Sequence, residues 1–256
     1  MPITIDKPIE VLTQTRFGEI AFEVMQHAFA VHNQMGRFFD EEVYQNELKA
    51  RLGDRASTEV WIHAQHGDFQ KSFRLDLLVD HGAPFELKAV QQLNDQHRNQ
   101  LIHYLMLTGL THGKLINFRP ERVDHEFVNS TVSLEERRAF RVESSQGSRF
   151  QDILIELLRD WGTCLDLQLY EDAVTHFFGG VELVNQNVEV VCEGRKVGTQ
   201  TMRLVDPTTA FKITSLRRDL EAFESHTQRL LQHMQLERIL WANVTLREVS
   251  FVLISK

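Results

Sequence analysis

Identical residues recur along this chain at one fixed spacing. Gly36 and Gly162, Tyr44 and Tyr170, Asp80 and Asp206, Phe85 and Phe211, and Asn117 and Asn243 each stand 126 positions apart. Around them LVDHGAPFELKAV (78–90) aligns with LVDPTTAFKITSL (204–216), and KLINF aligns with LWANV. The spacing slips near the long helix expected in the second half, where His97 falls against His226, 129 positions on. A fixed offset carried by the same order of elements implies a tandem duplication. The length of 256 residues admits one large domain or two small ones, and the offset selects two. The boundaries expected are residues 1–143 and 149–256, joined by a linker at Ser144–Ser148.

Hydrophobic periodicity gives each half the same reading. Ile20, Ala21, Val24, Met25, Ala28 and Val31 recur at helical steps, so Phe17–Met35 is a helix ended by Gly36. A second helix is expected over Asp40–Leu52, strands over 58–63, 69–80 and 84–90, a helix over 95–107, and strands over 114–118 and 123–128. The stretch 134–145 is charged and reads as helical or frayed. The pattern then restarts with helices at 150–161 and 167–177, strands at 188–192, 199–205 and 210–214, a helix at 219–235, and strands at 239–244 and 249–254. The fold class is α+β with α/β/α-like character, two modules that each hold a central mixed sheet flanked by helices.

Apolar residues at 42% and charged residues at 25% exclude a disordered, collagen-like or coiled-coil chain. No apolar run is long enough to cross a bilayer, and nothing after Met1 reads as a basic, apolar signal segment. Two cysteines make no disulfide framework, which fits a reducing, cytoplasmic setting. The net charge of −8 argues against a general nucleic-acid or anionic-membrane coat but leaves room for a local basic cleft.

The block RLDLLVDHGAPFELKAV (74–90) carries the chemistry. Strand alternation puts Arg74, Asp76 and Leu78 on one face, and Glu86 and Lys88 on one face of the next strand. With His81-Gly82-Ala83 as the hairpin loop, Asp76 lies opposite Lys88 and Glu86 is its neighbour. Two carboxylates and a lysine suit a hard cation such as Mg²⁺, which takes one or two carboxylates and keeps waters for a substrate phosphate or a nucleophile. The carbonyl of Leu87 is a further candidate ligand, and Lys88 would orient or deprotonate a water or neutralise charge on a phosphate. The alternative is an exposed charged hairpin whose ion pairs contribute little. Two carboxylates crowded together without metal should hold a proton more tightly than usual. On the following helix His97, Gln100 and Tyr104 share one face. His63, His66, His103 and His112 have no zinc-like spacing and read as ordinary histidines.

A helix with Glu41, then Asp76, then Glu86-x-Lys88, then Gln100-x-x-x-Tyr104 resembles the PD-(D/E)XK nuclease superfamily, in its RecB-like branch with Q-x-x-x-Y. More closely, GRFFDEEVYQNEL, RLDLLVD, FELKAV, HRNQLIHYL and GKLINF resemble the small bacterial GxxExxY proteins, over about residues 17–130. The glycine of that signature is Phe38 here, while Glu41 and Tyr44 keep their places, and Leu75 stands where the superfamily has its leading proline. The resemblance implies two nuclease-like modules with Asp76 and Glu86 as metal ligands for Mg²⁺ or Mn²⁺. It implies Lys88 as the catalytic lysine, Gln100 and Tyr104 as supporting groups, and Glu41 as a helix-borne carboxylate near the metal. The expected function is Mg²⁺-dependent hydrolysis of phosphodiester bonds, on DNA more than RNA. The alternative is a non-catalytic nucleic-acid or protein-interaction protein that keeps the fold.

In the second half the offset places Met202 at Asp76, Lys212 at Glu86, Thr214 at Lys88 and Leu167 at Glu41, so this copy is expected to bind no Mg²⁺. Arg203, Lys212 and Arg229 are its candidate substrate-binding groups, or else solvated charges. The halves are expected to form an internal pseudo-dimer with one active cleft, and self-association into a homo-oligomer is left open.

Overall fold

The computed structural model describes residues 2–144 and 147–256. Chain contacts divide it into two compact units, one of residues 1–65 and 70–133, the other of residues 66–69 and 134–256.

In unit 1, β1 (Ile3–Ile5) leads into α1 (Gln14–Met35) and α2 (Glu41–Leu52), followed by β2 (Ala56–His66), β3 (Phe69–Val79) and β4 (Ala83–Lys88). Helix α3 (Asp95–Thr108) crosses to β5 (His112–Asn117), and β6 (Asp124–Asn129) closes the sheet in the order β1-β2-β3-β4-β5-β6. Strands β4 and β5 run parallel, while β5–β6 and β1–β2 are antiparallel. The Thr13 side chain caps α1 at the Arg16 N–H, and the apolar stripe Phe17, Ile20, Val24, Ala28 and Val31 packs on Leu77, Phe85, Leu87 and Ile116. Every residue of β4 is buried, as befits a central strand covered on both faces.

Unit 2 opens with α4 (Leu134–Arg138) and β7 (Arg141–Ser144). The chain then forms α5 (Arg149–Trp161), α6 (Leu167–Phe177), the short α7 (Val181–Val184), β8 (Asn185–Cys192), β9 (Arg195–Asp206) and β10 (Thr209–Thr214). Helix α8 (Leu220–Gln232) leads to β11 (Arg238–Val244) and β12 (Glu248–Ser255), and the sheet order is β7-β12-β11-β10-β9-β8. Read from β8 to β12 this is the order of β2 to β6, with β10 parallel to β11 as β4 is to β5. The added strand differs: β1 pairs beside β2, whereas β7 pairs in parallel beside β12.

The residues on the constant spacing do matching local work. Gly36 and Gly162 both close a helix at φ 78°, a left-handed conformation that glycine adopts without a Cβ penalty. The Tyr44 hydroxyl donates to the Gly36 carbonyl at 2.9 Å and accepts from Phe39 N–H, while Tyr170 does the same for Gly162 and Leu165. The Asn117 amide bonds both backbone groups of Val90, and the Asn243 amide bonds both backbone groups of Leu216.

The expectation for the stretch after residue 133 needs correction. The segment 134–145 holds a one-turn helix and then a strand, β7, whose hydrogen bonds come from β12 rather than from any pattern in its own four residues. Of the Ser144–Ser148 linker, Ser145 and Gln146 lie outside the described residues; Ser148 caps α5 by accepting from Gln151 N–H.

Candidate active site

Strand alternation on β4 sends Phe85 and Leu87 into the core under α1 and α2, and Glu86 and Lys88 to the opposite face. The β3–β4 ladder pairs Val79 with Ala83, Leu78 with Pro84 and Leu77 with Phe85. The register expected from a His81–Ala83 loop is therefore two residues out. Asp80 and His81 both take positive φ, at 48° and 59°, so the turn is Asp80–Gly82. A slip of two residues preserves which face each side chain takes, whereas a slip of one would have turned Asp76 away.

Beyond Leu77 the two strands part. The Asp76 carboxylate takes the place of a ladder carbonyl, its Oδ2 accepting from Leu87 N–H at 2.8 Å. The Asp76 carbonyl accepts from Gln45 Nε2 at 2.6 Å, and Gln45 also donates to Glu59 Oε1 at 2.9 Å. Gln45 lies one turn after Glu41 on α2. Glu41 Oε1 accepts from Ala89 N–H at 3.0 Å, so α2 holds both the entry and the exit of the cluster.

Lys88 Nζ donates to Glu86 Oε1 at 2.7 Å and lies 3.9 Å from Asp76 Oδ2. Glu86 is fully buried, and its second oxygen, Oε2, has no hydrogen-bond partner. Burial, reinforced by the charge of Asp76, pushes the Glu86 carboxyl up to about 8 from its ordinary 4.5. Asp76 is raised as well, chiefly by burial, against the pull of Lys88 and the Leu87 N–H. Burial draws the Lys88 ammonium down, but Glu86, Asp76 and Glu41 outweigh it and its pKa is raised.

Helix α3 closes the other side. Gln100 Nε2 donates to the Tyr104 hydroxyl at 3.0 Å, and Tyr104 is raised by burial with Glu86 and Asp76 adding to the shift. His97 is committed to the helix start, where Asn94 N–H donates to its Nδ1 in a reciprocal cap. Its pKa is lowered by burial and by Lys88. A cleft beside Asp76 is lined by Glu41, Gln45, Thr58, Glu59 and Arg74. Gln45 and Glu59 were not legible as site residues. The signal available for Gln45 was its four-residue step from Glu41.

The half-buried Asp76 and the fully buried Glu86, with one Glu86 oxygen unsatisfied, have the donor chemistry of a hard-cation site. Among the described residues no three His, Cys, Asp or Glu side chains gather as a metal cluster. A metal here would therefore take two carboxylates and draw its other ligands from water, backbone or substrate, which Mg²⁺ accepts.

The corresponding positions of unit 2 are filled differently. Thr214 Oγ1 donates to Asn243 Oδ1 and accepts from the indole N–H of Trp241, each at 2.8 Å. Trp241 is buried and packs on Phe223 at 4.5 Å between ring centroids. Arg203 pairs with Glu171 at 3.0 Å, and Lys212 acts on the same carboxylate. Arg229 is exposed on α8 and reaches Ser225 of its own helix.

Residues 18–129 match a family model described as the PD-(D/E)XK nuclease superfamily. Among curated proteins none matches the chain. The solved structure described as "Crystal structure of SSO0001" is 21% identical, over 45% of this chain and 61% of that one, with a TM-score of 0.29. Among the described residues no helix is long and apolar enough to cross a membrane.

Proposed function

We propose that unit 1 is a divalent-metal-dependent nuclease that hydrolyses phosphodiester bonds, with DNA favoured over RNA, and that unit 2 is a metal-free second copy from a tandem duplication of a GxxExxY-type module. The observation that carries the reading is the buried Asp76–Glu86–Lys88 cluster with its unsatisfied Glu86 oxygen, within the segment that matches the nuclease superfamily. Asp76 and Glu86 would hold Mg²⁺ or Mn²⁺, which supplies Lewis-acid polarisation of a phosphate and an acidified water. Lys88, held as an ammonium between the two carboxylates, orients the attacking water or offsets charge growing on the phosphate. Gln100 and Tyr104 offer hydrogen bonds from α3, and Glu41 fixes the backbone after Lys88. The matching strand order and the paired Gly–Tyr and Val–Asn or Leu–Asn bonds support the duplication.

A second reading, a non-catalytic interaction protein, is favoured by the acidic lining of the cleft, where Glu41, Glu42, Glu59 and Asp76 outnumber Arg74 and the neighbouring Lys88. Metal titration followed by a nuclease assay on single- and double-stranded substrates separates the two. Saturating Mg²⁺ at about 100 times Kd should raise Tm by about 5–10 °C, and Asp76→Ala should abolish the rise. No metal response and no cleavage leaves the second reading.

A further inference from the structure

The candidate site continues onto an aromatic surface. On the β2–β3 ribbon, Gln65 donates to Gln70, His63 bonds Ser72, and Arg74 pairs with Glu59 at 2.5 Å. These cross-strand contacts put Trp61, His63 and Gln65 on the same face as Gln70, Ser72 and Arg74. Alternation along β3 puts Asp76 on that face too, one step beyond Arg74. The Arg74 guanidinium lies 5.9 Å from the Trp61 ring centroid, and Arg74 also lines the cleft beside Asp76.

Trp61 is 42% exposed, whereas Trp161 and Trp241 are 1% and 3% exposed. The Trp61 and His63 rings are parallel to within 4°, with centroids 6.2 Å apart. At 5.9 Å from the ring centroid the guanidinium sits at the outer edge of cation–π range, and Trp61 keeps 42% of its surface exposed. The Arg74 side chain is 57% exposed and among the described residues pairs with Glu59, at the surface, which leaves it able to swing towards a phosphate. At the constant spacing of the chain Trp61 falls on Asn187 and Arg74 on Gln200, so the platform accompanies the unit that carries the acidic cluster.

We propose that Trp61, backed by His63 and flanked by Arg74, is a stacking subsite for an unpaired base of a single-stranded nucleic acid entering the Asp76 cleft. The proposal rests on the nuclease reading for its substrate class. A π-face serves any base, so the subsite selects strandedness rather than sequence. The acidic lining disfavours a grip on the phosphates, so aromatic contact is the larger part of the hold. Binding should accordingly show a shallow dependence on salt.

The test uses the full chain with Ca²⁺ in place of Mg²⁺, a short single-stranded oligodeoxynucleotide, and a duplex of the same sequence. Quenching of the exposed Trp61 reports contact in the wild type, and the anisotropy of a fluorescent label on the oligonucleotide gives the affinity of every variant. The single strand should quench Trp61. Trp61→Ala should weaken single-strand binding by about 5- to 150-fold, the range of one base–aromatic stack, and leave duplex affinity and Tm unchanged. Trp61→Phe should keep most of the affinity. The proposal is overturned if the wild-type chain does not bind the single strand, if Trp61→Ala binds it as well as wild type, or if both substrates weaken alike. These readouts contain no cleavage. A chain that never cuts but loses single-strand binding in Trp61→Ala sinks the nuclease reading alone, and one that cuts with Trp61→Ala unaffected sinks the stacking alone.

Discussion

Glu86 is the residue on which the chemistry of unit 1 turns, because it is an acid buried beside another acid. Its folded pKa of about 8 lies above the ordinary 4.5, so without metal the native state holds a proton that the unfolded chain releases. The associated stability is complete below about pH 4.5 and is lost as pH rises through about 8; Asp76, also raised, acts in the same direction. In EDTA, Tm should therefore fall between pH 5 and 8.5, by an amount on the order of a few kcal/mol in stability. Glu86→Gln should flatten that fall. Added Mg²⁺ should stabilise more at the alkaline end, since it needs the deprotonated carboxylates. A wild-type Tm that is flat across this window in EDTA would contradict the burial argument. Lys88→Ala should reduce cleavage by about 10²–10³-fold and leave the Mg²⁺-dependent Tm rise in place, a split that separates water positioning and charge stabilisation from metal holding.

Among the elements, the parting of β3 from β4 is what admits Asp76 to the site, and Gln45 on α2 holds it open. Gln45→Ala leaves the buried Asp76 carbonyl without its donor and should cost about 1–3 kcal/mol, measured by denaturant unfolding, together with weaker metal binding. Tyr44→Phe and Tyr170→Phe should each cost about 1 kcal/mol by removing the hydroxyl that joins two helices, with cleavage unchanged once the protein is folded. The elements were legible in the sequence where side chains set them. The stripe of α1, the full burial of β4 and the paired Gly, Tyr and Asn positions all leave marks at fixed spacing. The shared face of Asp76, Glu86 and Lys88 was legible for the same reason, since alternation fixes it. The rest lay in backbone geometry. Nothing in His81-Gly82-Ala83 announces that Asp80 and His81 take positive φ, and Gln45 acts on a main-chain carbonyl that no pattern reveals. Strand β7 depends on a partner more than 100 positions away.

For the whole molecule, the expected metal stoichiometry is one cluster per chain. Calorimetric titration should show Mg²⁺ binding that Asp76→Asn removes and that Lys212→Ala and Thr214→Ala leave untouched. Replacing Arg203, Lys212 and Arg229 together by Ala tests whether unit 2 touches nucleic acid: weaker binding with a smaller salt slope supports contact, and unchanged binding assigns those charges to solvent and to Glu171.

The indole of Trp241 has a consequence for what unit 2 can become. It donates to Thr214 in a buried space and stands in register with Lys212 on the neighbouring strand. A lysine placed at 214 would enter this packed space and would leave the Trp241 N–H without its acceptor. A glutamate at 212 would stand alone, without Asp at 202. The exchange at 214 would lower stability before it yields chemistry, whereas position 212 is exposed and tolerates either charge. On the duplication reading, the bond from Trp241 to Thr214 is the first contact that a return to the cluster of unit 1 would have to undo.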